Sequence, residues 1–403
     1  MEYNIQQRQF FCQGTHPKTR GIFMAETKKI GVAVLGTGSR GRGVVSNLLR
    51  DSENGVEILA AYDPDKAVMA ETIEVWKHTG ITKECGSVDE AIRTPGVEWV
   101  MVFSPNVYHK EHILAAFEAG KNVFSEKPLA TSIEDCREIY EAHQKCGKLF
   151  ATGFVLRYAP IYRKAKELLD SGKLGRLIAI DGNENISPEH GGYIMCNWRR
   201  LTKFAGPHIL EKCCHDLDLI NWFVGSLPSR VASFGGRNFF IPENEKLMEK
   251  YGKKTFCSWW DPHALPSPFS GDTDLMDNSI SIAEFRNEVR VMFMATMSNA
   301  MPERRLYFSC SEGTMRLDLY AGKLYYRCIG GEGTIEVAIA GDGHGGGDNY
   351  IMKELYETMT TGAKPKCSGN EGLESAVYAL ALDEAARTKQ IVDLEPVWKS
   401  LGR

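Results

Sequence analysis

The segment Gly36-Thr37-Gly38-Ser39-Arg40-Gly41 constrains this chain more than any other. It matches G-x-G-x-x-G, and its surroundings give the match weight. Residues 29–35 read as a buried strand, and Val44, Leu48 and Leu49 follow the turn at helical spacing. Glycines at such a junction permit a tight turn and let backbone N–H groups approach a pyrophosphate at the helix N-terminus. A second strand, Val56–Tyr62, leads into Asp63, at the distance expected of a ribose-binding acid. A carboxylate there accepts from a ribose 2′-hydroxyl and repels a 2′-phosphate, which favours NAD over NADP. Arg40 pulls the other way, since a guanidinium suits a 2′-phosphate or the diphosphate itself.

The same alternation continues. Val97–Phe103, Asn122–Phe124 and Leu149–Gly153 read as strands. Pro64 to about His78, Tyr108–Ala119 and Ser132–Cys146 read as helices. Strands alternating with helices predict parallel β-α-β units. Past residue 153 the pattern changes. A helix over Pro160–Leu169 leads to a strand over Arg176–Gly182, and residues 208–224 read as one helix. Strand-like runs then crowd together at Arg230–Phe234, Ser279–Phe285, Val289–Thr296, Leu306–Cys310, Thr314–Asp318 and Lys323–Arg327. Helices over 350–361 and 371–388 close the chain. The expected fold is α/β: a doubly wound parallel sheet, then an α/β domain with a large, mostly antiparallel open sheet. The expected boundaries are 1–28 for a tail or arm, 29–152 for the dinucleotide-binding domain and 153–403 for the C-terminal domain.

Composition narrows the function classes. Lysine and arginine number 48 against 52 acids, a net charge of −4, so the basic patch that nucleic acid needs is lacking. No apolar stretch approaches the roughly 18 residues of a membrane helix. Eleven scattered cysteines without C-x-x-C spacing suit reduced thiols in a cytoplasm. The first 28 residues lack the apolar core of a secretory signal. They read as a disordered tail, or as an arm docking Tyr3, Phe10, Phe11, Ile22 and Phe23 on a partner subunit, and Met24 is an alternative start.

Four segments in order carry a resemblance: GTGSRG with YDPD (36–41, 62–65), SPNVYHKEH (104–112), SEKPLA (125–130) and CCHDLDLINWFVG (213–225). The chain resembles the Gfo/Idh/MocA oxidoreductases from about residue 29 to 396. The segment 343–365, with Gly343-His344-Gly345-Gly346-Gly347-Asp348, is similar to a sugar-modifying subset. The resemblance implies a Rossmann domain, a C-terminal sheet that often joins subunits into a homo-oligomer, and a site in the cleft between the domains. It implies hydride transfer between NAD(H) and a hydroxyl-bearing carbon of a sugar, polyol or glycoside, with a 3-keto sugar as one product. The alternative it leaves open is redox-neutral glycoside cleavage on a tightly bound NAD.

On this resemblance, Lys127 and His215 are the expected catalytic pair. Lys127 is expected to turn neutral beside a cationic nicotinamide and to help move the hydroxyl proton. Gly36, Thr37, Gly38, Ser39, Arg40, Gly41, Asp63, Ser104, Asn106, His109, Glu126, Lys127, Arg157 and Trp198 are expected at the cofactor. Lys127, Tyr158, Arg199, Glu211, Asp218, His215 and His344 are expected at the substrate. Asp218, one turn past His215, is placed to orient the ring or meet substrate. Asp348 accompanies His344. For Arg157 a structural ion pair is the competing reading.

The chain departs from the family pattern at two points. Glu211 stands where many relatives carry aspartate, and Ala205-Gly206-Pro207-His208 replaces a glycine triplet. Cys213, Cys214 and His215 invite a metal reading, but adjacent cysteines lack the spacing of ligand pairs, so no metal is expected. Residues 236–275 look like an insertion. Trp259, Trp260, Pro262, Pro266 and Pro268 suggest a loop of fixed shape, packed on the body or covering the cleft.

Overall fold

The computed structural model describes residues 29–258, 263–331, 334–338 and 344–403. The N-terminal tail, Trp259, Trp260 and Pro262 lie outside them.

The first sheet holds β1 (Ile30–Leu35), β2 (Val56–Tyr62), β3 (Lys83–Glu84), β4 (Val97–Val102), β5 (Asn122–Ser125) and β6 (Phe150–Thr152). Its order is β3-β2-β1-β4-β5-β6, with every neighbour parallel. The chain reverses direction across the sheet between β1 and β4, where open α/β sheets bind ligands beyond their strand ends. Val32 to Leu35 are wholly buried, so β1 shows none of the alternation of a half-exposed strand. Each such side chain contributes about 1.5–3 kcal/mol relative to exposure. Helices α1 (Ser39–Asp51), α2 (Lys66–Trp76), α3 (Val88–Ile92), α4 (His109–Glu118) and α5 (Ile133–Cys146) connect the strands. Asp65 caps α2 by accepting from Ala67 N and Val68 N, and Ser132 caps α5 through Asp135 N.

The second sheet holds β7 (Leu177–Asn185), β8 (Pro228–Gly236), β9 (Asn278–Phe285), β10 (Arg290–Thr296), β11 (Arg305–Cys310), β12 (Gly313–Asp318), β13 (Lys323–Cys328), β14 (Ile335–Ala338) and β15 (Val392–Asp393). Its order is β14-β13-β12-β11-β7-β10-β9-β8-β15. Among the described residues its pairs are antiparallel except β7 with β10. One face carries helices. The other leaves Phe234, Ile280, Ile282 and Met292 exposed. The expected mostly antiparallel sheet is thus present, with one parallel pair.

The remaining helices are α6 (Pro160–Asp170), α7 (Pro188–Cys196), α8 (Thr202–Ala205), α9 (His208–Glu211), α10 (Cys214–Val224), α11 (Lys246–Tyr251), α12 (Gly347–Thr361), α13 (Gly369–Thr388) and α14 (Glu395–Ser400). Helix α13 opens with a capping box between Ser368 and Glu371 and packs on α5, α10 and β8. It therefore joins the two sheets, as do the bonds from Thr152 N to Cys367 O and from Thr152 Oγ1 to Ser368 O.

Two expectations need correction. The single helix over 208–224 is two helices broken at Lys212-Cys213, because the buried Glu211 side chain and carbonyl are held by cations from other elements. The strand ending at Gly182 continues to Asn185, through polar residues that meet partners below the site. Within the expected insertion, described residues on both sides of 259–262 pack together. Phe240, Phe256, Phe269 and Leu275 form a second small core with Ile186, Ile194, Met195 and Met297.

Candidate functional site

The three fingerprint glycines face different demands. Gly36 has φ +92°, and a Cβ there would stand 2.6 Å from the Phe103 carbonyl carbon. A Cβ on Gly41 would stand 2.4 Å from Gly36 O. Packing therefore requires both. A Cβ on Gly38 would meet nothing within 4 Å. That open space lies at the N-terminus of α1, where Gly38 offers no side-chain cap. Free N–H groups with room in front of them fit a pyrophosphate.

Asp63 closes the turn. Its Oδ2 accepts from Thr37 N at 2.7 Å and Thr37 Oγ1 at 3.2 Å, and its Oδ1 accepts from Asp65 N at 2.9 Å. Arg40 points elsewhere. It pairs with Glu126 at 2.7 Å and Asp348 at 2.8 Å. Burial opposes its charge, but these two carboxylates outweigh it and raise the guanidinium further. In the ligand-free chain Arg40 thus joins the two halves of the chain through ion pairs.

Several residues expected at the cofactor also hold neighbouring groups in place in the ligand-free chain. Ser104 Oγ lies 2.9 Å from His112 Nδ1, and Asn106 Nδ2 donates to Ala205 O at 2.8 Å. Buried His109 stands between Pro128 O at 2.8 Å and Ser104 O at 2.9 Å. These bonds brace the Glu126-Lys127-Pro128 turn, whose Lys127–Pro128 bond is cis. Burial lowers the His109 imidazole below its ordinary range, so the neutral ring carries one N–H and donates to one of these two carbonyls at a time.

Lys127 leaves this turn toward the break between α9 and α10. Its Nζ donates to Glu211 O at 2.6 Å and stands 3.8 Å from Glu211 Oε1. Arg199 Nε donates to the same Oε1 at 3.0 Å. The Arg199 guanidinium lies 4.3 Å from the Trp198 ring centre and also bonds Tyr193 and Asn197. Burial raises the Glu211 carboxyl, but Lys127, Arg199 and Lys212 outweigh it and hold it at about 2. Conversely, burial would lower Lys127, and Glu211 keeps its ammonium above the ordinary range. In the ligand-free chain Lys127 is therefore charged.

His215 follows on the first turn of α10 and is 2% exposed. Burial first, then the Lys127 and His344 charges, push its imidazole well below the usual range, so the ring is neutral. Among the described residues its Nδ1 has no hydrogen-bond partner. The His344 ring centre lies 5.7 Å away, and His344 Nδ1 meets Asp348 Oδ2 at 2.7 Å.

Asp218 and Arg157 pair with each other. Arg157 Nε and Nη2 donate to the two Asp218 oxygens at 2.7 and 2.8 Å. In the ligand-free chain Asp218 and Arg157 thus engage each other. Tyr158 is buried, with its hydroxyl on Glu354.

Beneath α10 lies a cluster the sequence did not announce. Arg304 grips Asp216 with two bonds of 2.8 and 2.7 Å and reaches Glu184 at 3.2 Å, while Lys212 stands 3.3 Å from Glu184. Burial and neighbouring Glu184 push Asp216 up against the pull of Arg304. Cys213 joins this group, with ligand atoms within 4.8 Å, but cations already occupy both carboxylates. Such a cluster links β7, α10 and the residue just before β11, far apart in sequence, so only the fold brings it together.

A family model described as an NAD-binding Rossmann oxidoreductase matches residues 30–154, and its companion for the C-terminal α/β domain matches 166–394. The chain belongs to the Gfo/Idh/MocA oxidoreductase family. It is 24% identical to YteT of Bacillus subtilis over 361 residues, covering 77% of this chain and 83% of that protein. Two further matches span roughly half of each relative. The chain is 31% identical to 2,7-anhydro-N-acetylneuraminate hydratase of Mediterraneibacter gnavus (52% of this chain, 53% of that one). It is 29% identical to the NAD(+)-specific scyllo-inositol 2-dehydrogenase of B. subtilis (55% and 60%). Levoglucosan dehydrogenase in complex with NADH and levoglucosan shares the fold, with TM-score 0.76, 18% identity and coverage of 91% and 100%.

In this Gfo/Idh/MocA chain the break between α9 and α10 gathers Lys127, Arg199 with Trp198, Glu211 and His215, with His344 beside His215. Arg157, Asp218, Tyr158, Asn106 and His109 are engaged in bonds around it. Among the described residues, no helix is long and apolar enough to cross a membrane.

Proposed function

We propose that this chain is an NAD(H)-dependent dehydrogenase acting on a secondary hydroxyl or keto carbon of a sugar, polyol or glycoside. Its two working parts are the cofactor domain 29–152 and the substrate domain 153–403. The observation that carries the reading is the approach of a charged Lys127 and a neutral His215, whose Nδ1 lacks a hydrogen-bond partner among the described residues, to one helix break. The nicotinamide supplies the hydride acceptor or donor. Lys127 donates a hydrogen bond to the reacting oxygen. His215 takes the hydroxyl proton during oxidation and returns it during reduction. Arg199 holds the Glu211 carboxylate in place, and Trp198 offers a ring face to sugar C–H groups.

NAD is preferred over NADP. Asp63 stands at the end of β2 against the glycine turn, and Arg40 is committed to two carboxylates. The exposed face of the second sheet supports a homo-oligomer, and the free cysteines among the described residues support a cytoplasmic setting.

Purified protein incubated with NAD and a panel of sugars, inositols and aryl glycosides tests this. Stoichiometric NADH formation is expected. Absence of NADH with every substrate, despite bound NAD, overturns it. The second reading is redox-neutral glycoside cleavage, favoured by the match to a hydratase and by the His344–Asp348 pair beside His215. Aglycone release without net NADH marks it.

A further inference from the structure

Oxidation of a hydroxyl releases a proton as well as a hydride, and the imidazole assigned to take that proton is shut away from solvent. His215 is 2% exposed. A ring that gains a proton there must pass it on before the next turnover. Its acidic neighbours on α10 are engaged, Asp216 by Arg304 and Asp218 by Arg157. The Phe154 ring stands edge-on to His215 with centres 6.0 Å apart. Lys127 is already charged and donates to Glu211 O.

His344 differs on each count. Its ring centre lies 5.7 Å from that of His215, and its side chain is 32% exposed. His344 Nδ1 meets Asp348 Oδ2 at 2.7 Å. Burial raises the Asp348 carboxyl, but His344 and Arg40 outweigh this and keep it ionised. A carboxylate only accepts, so Nδ1 carries the hydrogen and the lone pair of the neutral ring lies on Nε2. Asp348 is itself held. Its Oδ1 accepts from Arg40 Nη1 at 2.8 Å, Arg40 Nε donates to Glu126 Oε1 at 2.7 Å, and Glu126 Oε2 accepts from Lys127 N at 3.1 Å. The turn that carries Lys127 therefore fixes, through Arg40 and Asp348, the ring beside His215. Burial lowers the His344 imidazole, and Asp348 raises it against Arg40 and Lys212. His215 has no carboxylate on Nδ1 and lies well below its ordinary range. A proton moving from His215 to His344 thus moves toward the ring whose cation a carboxylate stabilises.

We propose that His344 relays protons between His215 and solvent, with Asp348 as its positioning residue. In oxidation the substrate O–H bond breaks and its proton bonds to the His215 imidazole. A proton then leaves His215 for His344 Nε2, directly or across one bridging water. His344 gives that proton to bulk water and returns to its neutral form. One proton enters the relay and one leaves it, both rings end neutral, and the electron pair of the substrate C–H bond departs with the hydride. Reduction runs the same steps backwards.

The relay rests on the dehydrogenase reading proposed above. The test compares the parent, His344→Ala and Asp348→Asn in weak buffer, using the sugar or inositol of the panel that gives the fastest NADH formation. Turnover of His344→Ala should fall at least about tenfold and recover as imidazole is added, because a mobile base replaces the tethered one. Asp348→Asn should fall less and recover in the same way. Imidazole nitrogen NMR of the histidine-labelled, ligand-free chain gives a readout without substrate. The His344 signal, identified by its loss in His344→Ala, should show hydrogen on Nδ1 and none on Nε2. Parental turnover of His344→Ala in weak buffer overturns the relay. So does a lowered turnover indifferent to added imidazole, which marks a structural or substrate-binding role. Hydrogen on Nε2 overturns the positioning by Asp348. A parent that forms no NADH with any member of the panel overturns the dehydrogenase reading and the relay with it, whereas NADH formation with a buffer-insensitive His344→Ala overturns the relay alone.

Discussion

Lys127 and Glu211 meet twice, once through the Glu211 carbonyl at 2.6 Å and once through its carboxylate at 3.8 Å. The first contact uses a carbonyl at the break between α9 and α10. The second sets the charge on the lysine. One residue therefore fixes both the position and the protonation of the Lys127 amine.

This relationship predicts the pH behaviour of Glu211→Gln. The carboxylate holds Lys127 above its ordinary range, so the amide lets the lysine titrate at lower pH. The alkaline limb of kcat/KM should move to lower pH, with NAD affinity retained. A limb that stays in place would show that Lys127 charge does not govern turnover.

Lys127→Ala and His215→Ala should each lower turnover by at least about a hundredfold, the scale of proton-transfer groups, and still bind NAD. Turnover close to the parent in either variant removes that residue from the chemistry. Titration calorimetry with NAD separates loss of catalysis from loss of binding.

Gly36→Ala forces a side chain into φ +92° and to within 2.6 Å of the Phe103 backbone. Strain of this kind costs about 1–3 kcal/mol. The expected outcome is a lower melting temperature and weakened NAD binding together. A variant with parental melting and affinity would show that the turn tolerates the side chain.

Arg304→Met leaves Glu184 and Asp216 buried without their shared cation. Breaking a buried pair in this way costs about 3–5 kcal/mol, measurable by urea unfolding. Arg304→Met with Asp216→Asn should recover part of the loss, since one uncompensated charge is gone. Equal stability of the single variant and the parent would refute the role of Arg304.

Asp348 links stability to pH. Burial raises its carboxyl, but His344 and Arg40 outweigh this and bring it from an ordinary 3.8 down to about 2. Its contribution is fully present above the unfolded value and is lost as pH falls toward the folded one. Asp348→Asn should therefore flatten the decline in unfolding free energy between about pH 5 and pH 2. An unchanged slope would place that acid sensitivity elsewhere.

Much of this was legible in the chain itself. The run ending at Leu35, the spacing of Gly36, Gly38 and Gly41, and Asp63 after Val56–Tyr62 are local patterns, and local patterns decide a strand–turn–helix unit and its nucleotide cradle. Lys127 beside Pro128 and His215 at the head of an apolar helix also stand out in sequence. Tertiary structure alone decided the partners. Whether Asp218 faces His215 or Arg157, whether Arg40 meets a phosphate or Glu126 and Asp348, and whether residues 208–224 run unbroken depend on charges brought in from distant elements. A side chain's spacing fixes the face it occupies; the buried charge opposite it, supplied by another part of the fold, determines what it binds.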